Sequence, residues 1–230
     1  MKNVESFKID GVFRLLLSFV FCCIFVAVHA DSRNSVRKQL FDDGWSFHLG
    51  DTDSDESVGF DDSKWRLVDL PHDWSIEGNV DEKNPSGNDG GYYPTGVAWY
   101  RKTFAVPNGC KEKKFYVYFE GVYMDSEVFV NGKSLGRRPY GYSSFIYDMT
   151  PLLKFEGENV IAVRVDNSKQ KNCRWYSGAG IYRHVWLMMV DPVHVEHWGV
   201  AVTTPEVSSK KALVKIKSLI NNEIGRASCR

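Results

Sequence analysis

Ser126-Glu127-Val128-Phe129-Val130-Asn131-Gly132-Lys133-Ser134-Leu135-Gly136-Arg137 decides the class of fold. Ser126–Val130 and Lys133–Arg137 are short runs. Asn131-Gly132 between them tolerates the positive φ angles of a type I′ turn, so the stretch reads as a tight antiparallel hairpin. Outward on either side the same period of two continues. Phe115, Val117 and Phe119 alternate with Tyr116, Tyr118 and Glu120, and Ile161, Val163 and Val165 alternate with Val160, Ala162 and Arg164. Such alternation marks half-buried strands. Further strands are expected at Trp45–Leu49, Trp65–Leu70, Ala98–Val106, Phe145–Tyr147 and Val185–Val190. Pro107-Asn108-Gly109, Pro139-Tyr140-Gly141 and Glu156-Gly157-Glu158 supply the turns. No span shows sustained helical periodicity. The fold class is all-β, an antiparallel sandwich.

The 230 residues are 43% hydrophobic, 14% aromatic and 25% charged, with 29 basic against 29 acidic side chains. That apolar content builds a packed core and argues against disorder. Balanced charge gives no net field to attract nucleic acid or an anionic membrane. The length leaves no room for a (β/α)₈ barrel of roughly 250 residues beside anything else. Lys2, Lys8 and Arg14 precede an apolar run, Leu15–Val28, and Val28-His29-Ala30 offers small residues at an Ala-x-Ala-like cleavage site. Residues 1–30 therefore read as a secretory signal peptide and imply export, periplasmic or extracellular, with no membrane contact after cleavage. An uncleaved anchor is the alternative. Cys110, Cys173 and Cys229 remain in the mature chain, and this odd number without C-x-x-C is neither a disulfide framework nor a zinc signature. A Cys110–Cys173 bridge is left open.

Ile76–Gly96, rich in Gly, Asn and Pro, reads as a long surface loop, and loops of that length are usually functional or mobile. Asp191-Pro192 marks a boundary that closes a domain spanning 31–191. Beyond it, within 192–224, His194–Val202 and Ala212–Leu219 read as two strands of a second unit that cannot bury a core by themselves. Residues 225–230 continue neither pattern and read as a non-native tail on a fragment.

Several segments in order resemble the N-terminal sugar-binding domain of glycoside hydrolase family 2. They are Leu70-Pro71-His72-Asp73-Trp74, Gly96-Val97-Ala98-Trp99-Tyr100-Arg101-Lys102-Thr103-Phe104, Phe119-Glu120-Gly121-Val122-Tyr123, Val128-Phe129-Val130-Asn131-Gly132, Gly141-Tyr142-Ser143-Ser144-Phe145 and Arg174-Trp175-Tyr176-Ser177-Gly178-Ala179-Gly180-Ile181-Tyr182-Arg183. The resemblance covers about residues 40–220 and is nearest to exported β-galactosidases. It implies a jelly-roll (galactose-binding-like) sandwich, then the start of an immunoglobulin-like β-sandwich domain. The parent would be a retaining glycosidase whose catalytic barrel, with its pair of glutamates, lies outside this chain. Glu77, Glu120 and Glu127 match neither catalytic glutamate, and the chain alone is expected to be inactive.

The resemblance also implies the site. Asp166 matches the family's sugar-contacting aspartate, which in some members ligates sodium beside the sugar. No cofactor is required, with sodium or magnesium expected only in the complete enzyme. Tyr93 stands where the family has an asparagine before Pro-Thr-Gly, so its contact would be stacking or donation. Arg174 and Trp175 form a supporting loop that either touches sugar or braces the domain against the barrel, the brace being favoured. The expected partners are a terminal β-galactoside or related carbohydrate and the barrel of the same polypeptide. A freestanding secreted carbohydrate-binding module without catalysis is the reading of a different class.

Blander readings stand beside these. Asp166-Asn167 could simply cap a strand. Asp51-Thr52-Asp53-Ser54-Asp55-Glu56 starts like a calcium loop, but Glu56 replaces the required glycine and Asp62 the final glutamate, so it reads as a solvated acidic loop. His194 and His197 sit three apart on an expected strand, which directs them to opposite faces. Trp45, Trp65, Trp99 and Trp186 read as packing residues.

Overall fold

The computed structural model describes residues 37–51, 55–169 and 175–224. Its strands are β1 (Lys38–Leu40), β2 (Trp45–Leu49), β3 (Arg66–Val68), β4 (Val97–Phe104), β5 (Lys114–Phe119), β6 (Ser126–Val130), β7 (Lys133–Arg138), β8 (Phe145–Asp148), β9 (Asn159–Asp166), β10 (Val185–Val190), β11 (Val193–Val207) and β12 (Ala212–Asn222). The signal-peptide reading of 1–30, Cys173, Arg174 and the 225–230 tail lie outside the described residues, as does the Cys110–Cys173 pairing.

All neighbouring strands run antiparallel. One sheet has the order β1-β10-β5-β8 and the other β3-β2-β4-β9-β6-β7. The non-sequential neighbours are those of a sandwich whose chain crosses repeatedly between layers, as in a jelly roll. Period-two burial assembles the core. Phe115, Val117 and Phe119 of β5 come from one layer, and Tyr100, Val128, Val130, Ile161, Val163 and Val165 from the other. Burying an aliphatic or phenyl side chain completely contributes about 1.5–3 kcal/mol.

The deciding hairpin closes as the sequence predicts. Asn131 has φ 51° and Gly132 φ 77°, the left-handed pair that a type I′ turn requires. Asn131 does more than turn the chain. Its side-chain amide donates to the Leu152 carbonyl and to Asn159 Oδ1, each at 2.8 Å, and its Oδ1 accepts the Val160 N–H at 3.0 Å. The turn is thereby tied to the start of β9.

The outer face of the six-stranded sheet is also covered. Arg101 is buried there, with Nη1 donating to the Asp55 carbonyl at 2.5 Å and Nε 3.3 Å from Asp62. Trp99 donates from Nε1 to Asp51 at 2.7 Å, and Arg164 forks onto the same carboxylate. Arg164 holds the Asp51 carboxyl below the usual range. The acidic stretch is thus not solvated throughout. Asp51 is ion-paired and Asp55 fully buried, because two arginines on adjacent strands draw it onto the sheet.

Trp45 and Trp99 are buried, Trp65 stacks half-buried on His48, and Trp186 donates to Glu120 at 2.9 Å. β1 escapes the period-two reading because three residues cannot display an alternation. Trp65 precedes β3 instead of joining it.

β11 and β12 form a separate two-stranded sheet after Asp191-Pro192. Pro205 lies where the register shifts, between Thr203 and Glu206, as a strand proline should. The expected divergence of the two histidines is overturned. His194 lies 6.0 Å from the Tyr116 ring and His197 4.5 Å from the Tyr118 ring, and those tyrosines share the outer face of β5. The reason is a break in the ladder between Val195 and Val200, with Trp198 at φ 59°, which removes the period of two that the expectation assumed. Further along the hairpin Val200, Val202, Ile216, Leu219 and Ile220 are exposed.

Candidate functional site

The site is built where loops meet at one end of the sandwich. Leu70-Pro71-His72-Asp73-Trp74 follows β3, with Leu70 and Trp74 buried. The His72 N–H donates to the Ile181 carbonyl at 2.9 Å, and Gly180 and Tyr123 exchange backbone hydrogen bonds at 2.8 and 2.9 Å. Gly180 has φ 74°, and a Cβ there would lie 2.2 Å from Tyr100 Oη and 2.8 Å from the His72 carbonyl. Only glycine lets these three segments approach so closely.

His72 braces this junction from inside. His72 Nε2 lies 3.0 Å from Arg66 Nη2 and 3.3 Å from Glu77 Oε1, and Nδ1 meets Tyr100 Oη at 2.8 Å. Burial lowers the His72 pKa, while Glu77 opposes that shift. Glu77 itself is ion-paired with Arg66, which lowers its carboxyl pKa.

The Ile76–Gly96 loop is stitched down rather than loose. Ser75 Oγ donates to the Pro94 carbonyl at 2.6 Å, and Ser86 Oγ to the Tyr93 carbonyl at 2.7 Å. Asn167 exchanges hydrogen bonds with Gly96: its Oδ1 accepts at 2.9 Å and its N–H donates at 3.0 Å. Two short 3-10 turns, Ser75–Glu77 and Asn88–Gly90, compact the segment.

Between these loops lies an open cleft, walled by Tyr93, Tyr176 and Trp175 and floored by Ser75, Ser86 and Asn167. The Tyr93 and Tyr176 rings are 4.8 Å apart and tilted by 56°. Tyr176 Oη donates to Asp73, 2.6 Å from each carboxylate oxygen. Burial and that carboxylate push the phenol pKa up, so Tyr176 is a protonated, fixed donor. The cleft is shallow and open to solvent, so a ring would rest against its walls and not be enclosed by them. Aromatic walls offer apolar faces to ring C–H groups, and the hydroxyl and amide groups suit a polyol.

The sequence-predicted residues divide. Tyr93 and Trp175 line the cleft. Asp166, at the end of β9, does not. Its Oδ1 accepts from the Ser168 N–H at 2.9 Å and hydroxyl at 2.5 Å, and its Oδ2 lies 3.5 Å from Arg164. This is the strand-capping geometry weighed as the bland reading. One carboxylate already bonded to serine and facing a guanidinium does not fit a cation. Among the described residues no group of three or more His, Cys, Asp or Glu side chains could hold a metal. Asn167 and Tyr176 were missed as cleft residues, although each sits beside a named one in the same motif.

None of the three glutamates set aside earlier stands free in the cleft. Glu77 pairs with Arg66, Glu120 accepts from Trp186, and Glu127 accepts from Ser134 at 2.7 Å.

Comparison with known proteins agrees with this geometry. Residues 42–191 match the family model described as the sugar binding domain of glycosyl hydrolases family 2. The β-galactosidase BoGH2A of Bacteroides ovatus is 55% identical over 183 residues, covering 80% of this chain and 22% of that protein. A putative β-glucuronidase of Formosa agariphila is 40% identical over 218 residues, covering 95% of this chain and 20% of that one. The chain thus spans about a fifth of the length of these curated relatives. A solved family 2 member from Bacteroides cellulosilyticus superposes with TM-score 0.79 at 41% identity, over 82% of this chain and 25% of the other. A β-glycosidase from Bacteroides vulgatus gives 0.78 at 45%, over 80% and 24%. By motif order, sandwich topology and family match, this chain belongs to the sugar-binding domain family of the family 2 glycosyl hydrolases.

Proposed function

We propose that the chain is the sugar-binding part of an exported, retaining β-glycosidase, β-galactosidase-like, that removes terminal β-linked sugars. The observation that carries this reading is the neutral, aromatic-walled cleft. It offers hydroxyl and amide groups and a tyrosine oxygen held by Asp73, and among the described residues no pair of carboxyl groups lines it. Retaining hydrolysis needs two carboxyl groups about 5–5.5 Å apart, and this cleft supplies neither. The chain's share of the work is to hold and orient a sugar ring, and the chemistry belongs to a barrel elsewhere in the parent polypeptide. Tyr93 and Tyr176 contribute ring area, the Tyr176 oxygen can accept from a sugar hydroxyl while its proton stays on Asp73, and Asn167 ties the floor to Gly96. Asp166 acts at the rim, where a sugar hydroxyl would replace Ser168 on the carboxylate.

Export rests on the layout of residues 1–30. The exposed aliphatic face of β11 and β12 supports reading 192–224 as the start of an immunoglobulin-like domain.

The test has two parts. Calorimetry of the chain with galactose and with glucuronic acid should show weak saturable binding of at least one, reduced by Tyr93→Ala. In the complete enzyme Tyr93→Ala and Asp166→Ala should raise KM or lower kcat for nitrophenyl β-galactoside. Unchanged kinetics in both variants would remove these residues from the site, and turnover by the isolated chain would overturn the division of labour.

A further inference from the structure

The cleft does not end at Trp175. Ser177 Oγ donates to the Trp175 carbonyl at 3.1 Å, and the Ser177 carbonyl accepts from Tyr142 Oη at 3.3 Å. The Tyr142 ring lies 5.8 Å from the Tyr140 ring. Ser177 thus connects the backbone at Trp175 to Tyr142, Tyr142 neighbours Tyr140, and the three aromatic side chains are 67%, 53% and 64% exposed.

The ledge is held in place from beneath. Tyr182 Oη donates to the Gly141 carbonyl at 2.9 Å, between the two tyrosines, and Tyr142 rests 5.1 Å from the ring of buried Tyr123. Rigid aromatic side chains lose little conformational entropy on binding, which makes such a ledge effective for a weakly held ligand.

Resting on the sugar-site reading of the cleft, we propose that Trp175, Tyr142 and Tyr140 form a binding ledge for the further sugar units of an oligosaccharide, so that the favoured substrate is a chain rather than a disaccharide. Chemistry selects this occupant. The ledge is aromatic and hydroxyl-bearing, without the exposed aliphatic side chains that mark the β11–β12 face. A glycan presents alternating C–H faces and hydroxyl edges, which match rings carrying phenolic groups and an indole N–H. The ledge also adjoins the shallow cleft at Ser177, which lines the cleft and accepts from Tyr142, so a substrate longer than one ring has this surface beside it.

The experiment is calorimetry and saturation-transfer NMR of the full chain with galactose and β-1,4-linked galactobiose, galactotriose and galactotetraose. Affinity should rise about tenfold from galactose to galactotriose, with saturation transfer reaching the second and third units. Tyr142→Ala and Tyr140→Ala, neither of which lines the cleft, should each abolish most of that rise while leaving galactose binding within about twofold. Leu67→Ser, an exposed change on β3, should leave it intact. Galactose binding without any dependence on chain length overturns the ledge alone, as does a length dependence that survives both aromatic variants. Failure of every saccharide to bind overturns the ledge together with the reading of the cleft.

Discussion

Replacing Gly180 by alanine tests how the cleft is held together. Two costs are separable. The backbone term comes from φ 74°, a left-handed conformation that costs an L-residue about 1–2 kcal/mol. The steric term comes from a Cβ placed 2.2 Å from Tyr100 Oη and 2.8 Å from the His72 carbonyl. Neither neighbour yields easily. Tyr100 is fully buried and its hydroxyl is engaged by His72, while the His72 backbone is hydrogen-bonded to Ile181. Overpacking of this kind costs typically about 1–3 kcal/mol, so the total is about 2–5 kcal/mol. That is a large share of the roughly 5–15 kcal/mol stabilising a domain. Urea unfolding should show the midpoint falling with an unchanged slope. Gly44→Ala is the control, because Gly44 has φ 64° with nothing near its missing Cβ, and it should carry the backbone term alone. A Gly180→Ala loss below about 1 kcal/mol, or one equal to that of Gly44→Ala, would refute the close-approach argument.

Asn131→Ala should cost about 2–4 kcal/mol, since it removes three hydrogen bonds and puts alanine at positive φ; a loss under 1 kcal/mol in the same urea assay would contradict that. The two arginines on the outer face should differ. Arg101→Met removes a buried guanidinium from the Asp55 carbonyl and Asp62 and should cost about 2–3 kcal/mol. Arg164→Met, whose partner Asp51 is about half exposed, should cost under about 1 kcal/mol. A pH effect follows from His72 and His197, both lowered from 6.5, chiefly by burial. The folded state disfavours their protonation, so their contribution is intact above about pH 6.5 and is lost progressively as pH falls below it, where the unfolded chain takes up the protons. His197 adds to this because its Nε2 is buried without a hydrogen-bond partner and Lys38 and Arg37 are near. Tm should therefore fall from about pH 7.5 to about pH 5.5, and a His72→Gln, His197→Gln double variant should flatten that slope. An equal slope in wild type and variant would place the acid sensitivity elsewhere.

The strand ladder was legible because burial of one face prints a period of two on the sequence. Phe115, Val117 and Phe119 face Ile161, Val163 and Val165 across the core as that pattern requires. The Asn131-Gly132 turn was legible because its chemistry is local. Contacts made across long separations were not. Asp51 looked solvated because nothing beside it in sequence reveals Arg164, 113 positions away. The two histidines looked opposed because a break in the ladder near Trp198 leaves no mark on a helical or strand period. The cleft suffered most, since Asn167 meets the loop at Gly96 across 71 residues and Tyr176 meets Asp73 across 103.

Tyr93 shows how those long contacts change the meaning of a departure from the family pattern. By resemblance alone, replacing an asparagine with tyrosine removes a directional polar contact and weakens the site. In the folded chain Tyr93 lies against Tyr176, whose hydroxyl is already committed to Asp73. The pair presents ring surface above a floor in which Asn167 is held at Gly96. The Asn167 Oδ1 is committed to Gly96 and the side chain is buried, so on the proposed reading the exchanged position acts through its ring and not through a polar contact. This is testable by order of effects. If the cleft works through its walls, Tyr93→Phe should bind galactose nearly as well as the wild type, while Tyr93→Asn, which restores the family residue, should bind it less well. Tighter binding by Tyr93→Asn would show that the polar contact, not the ring, is what the site lacks.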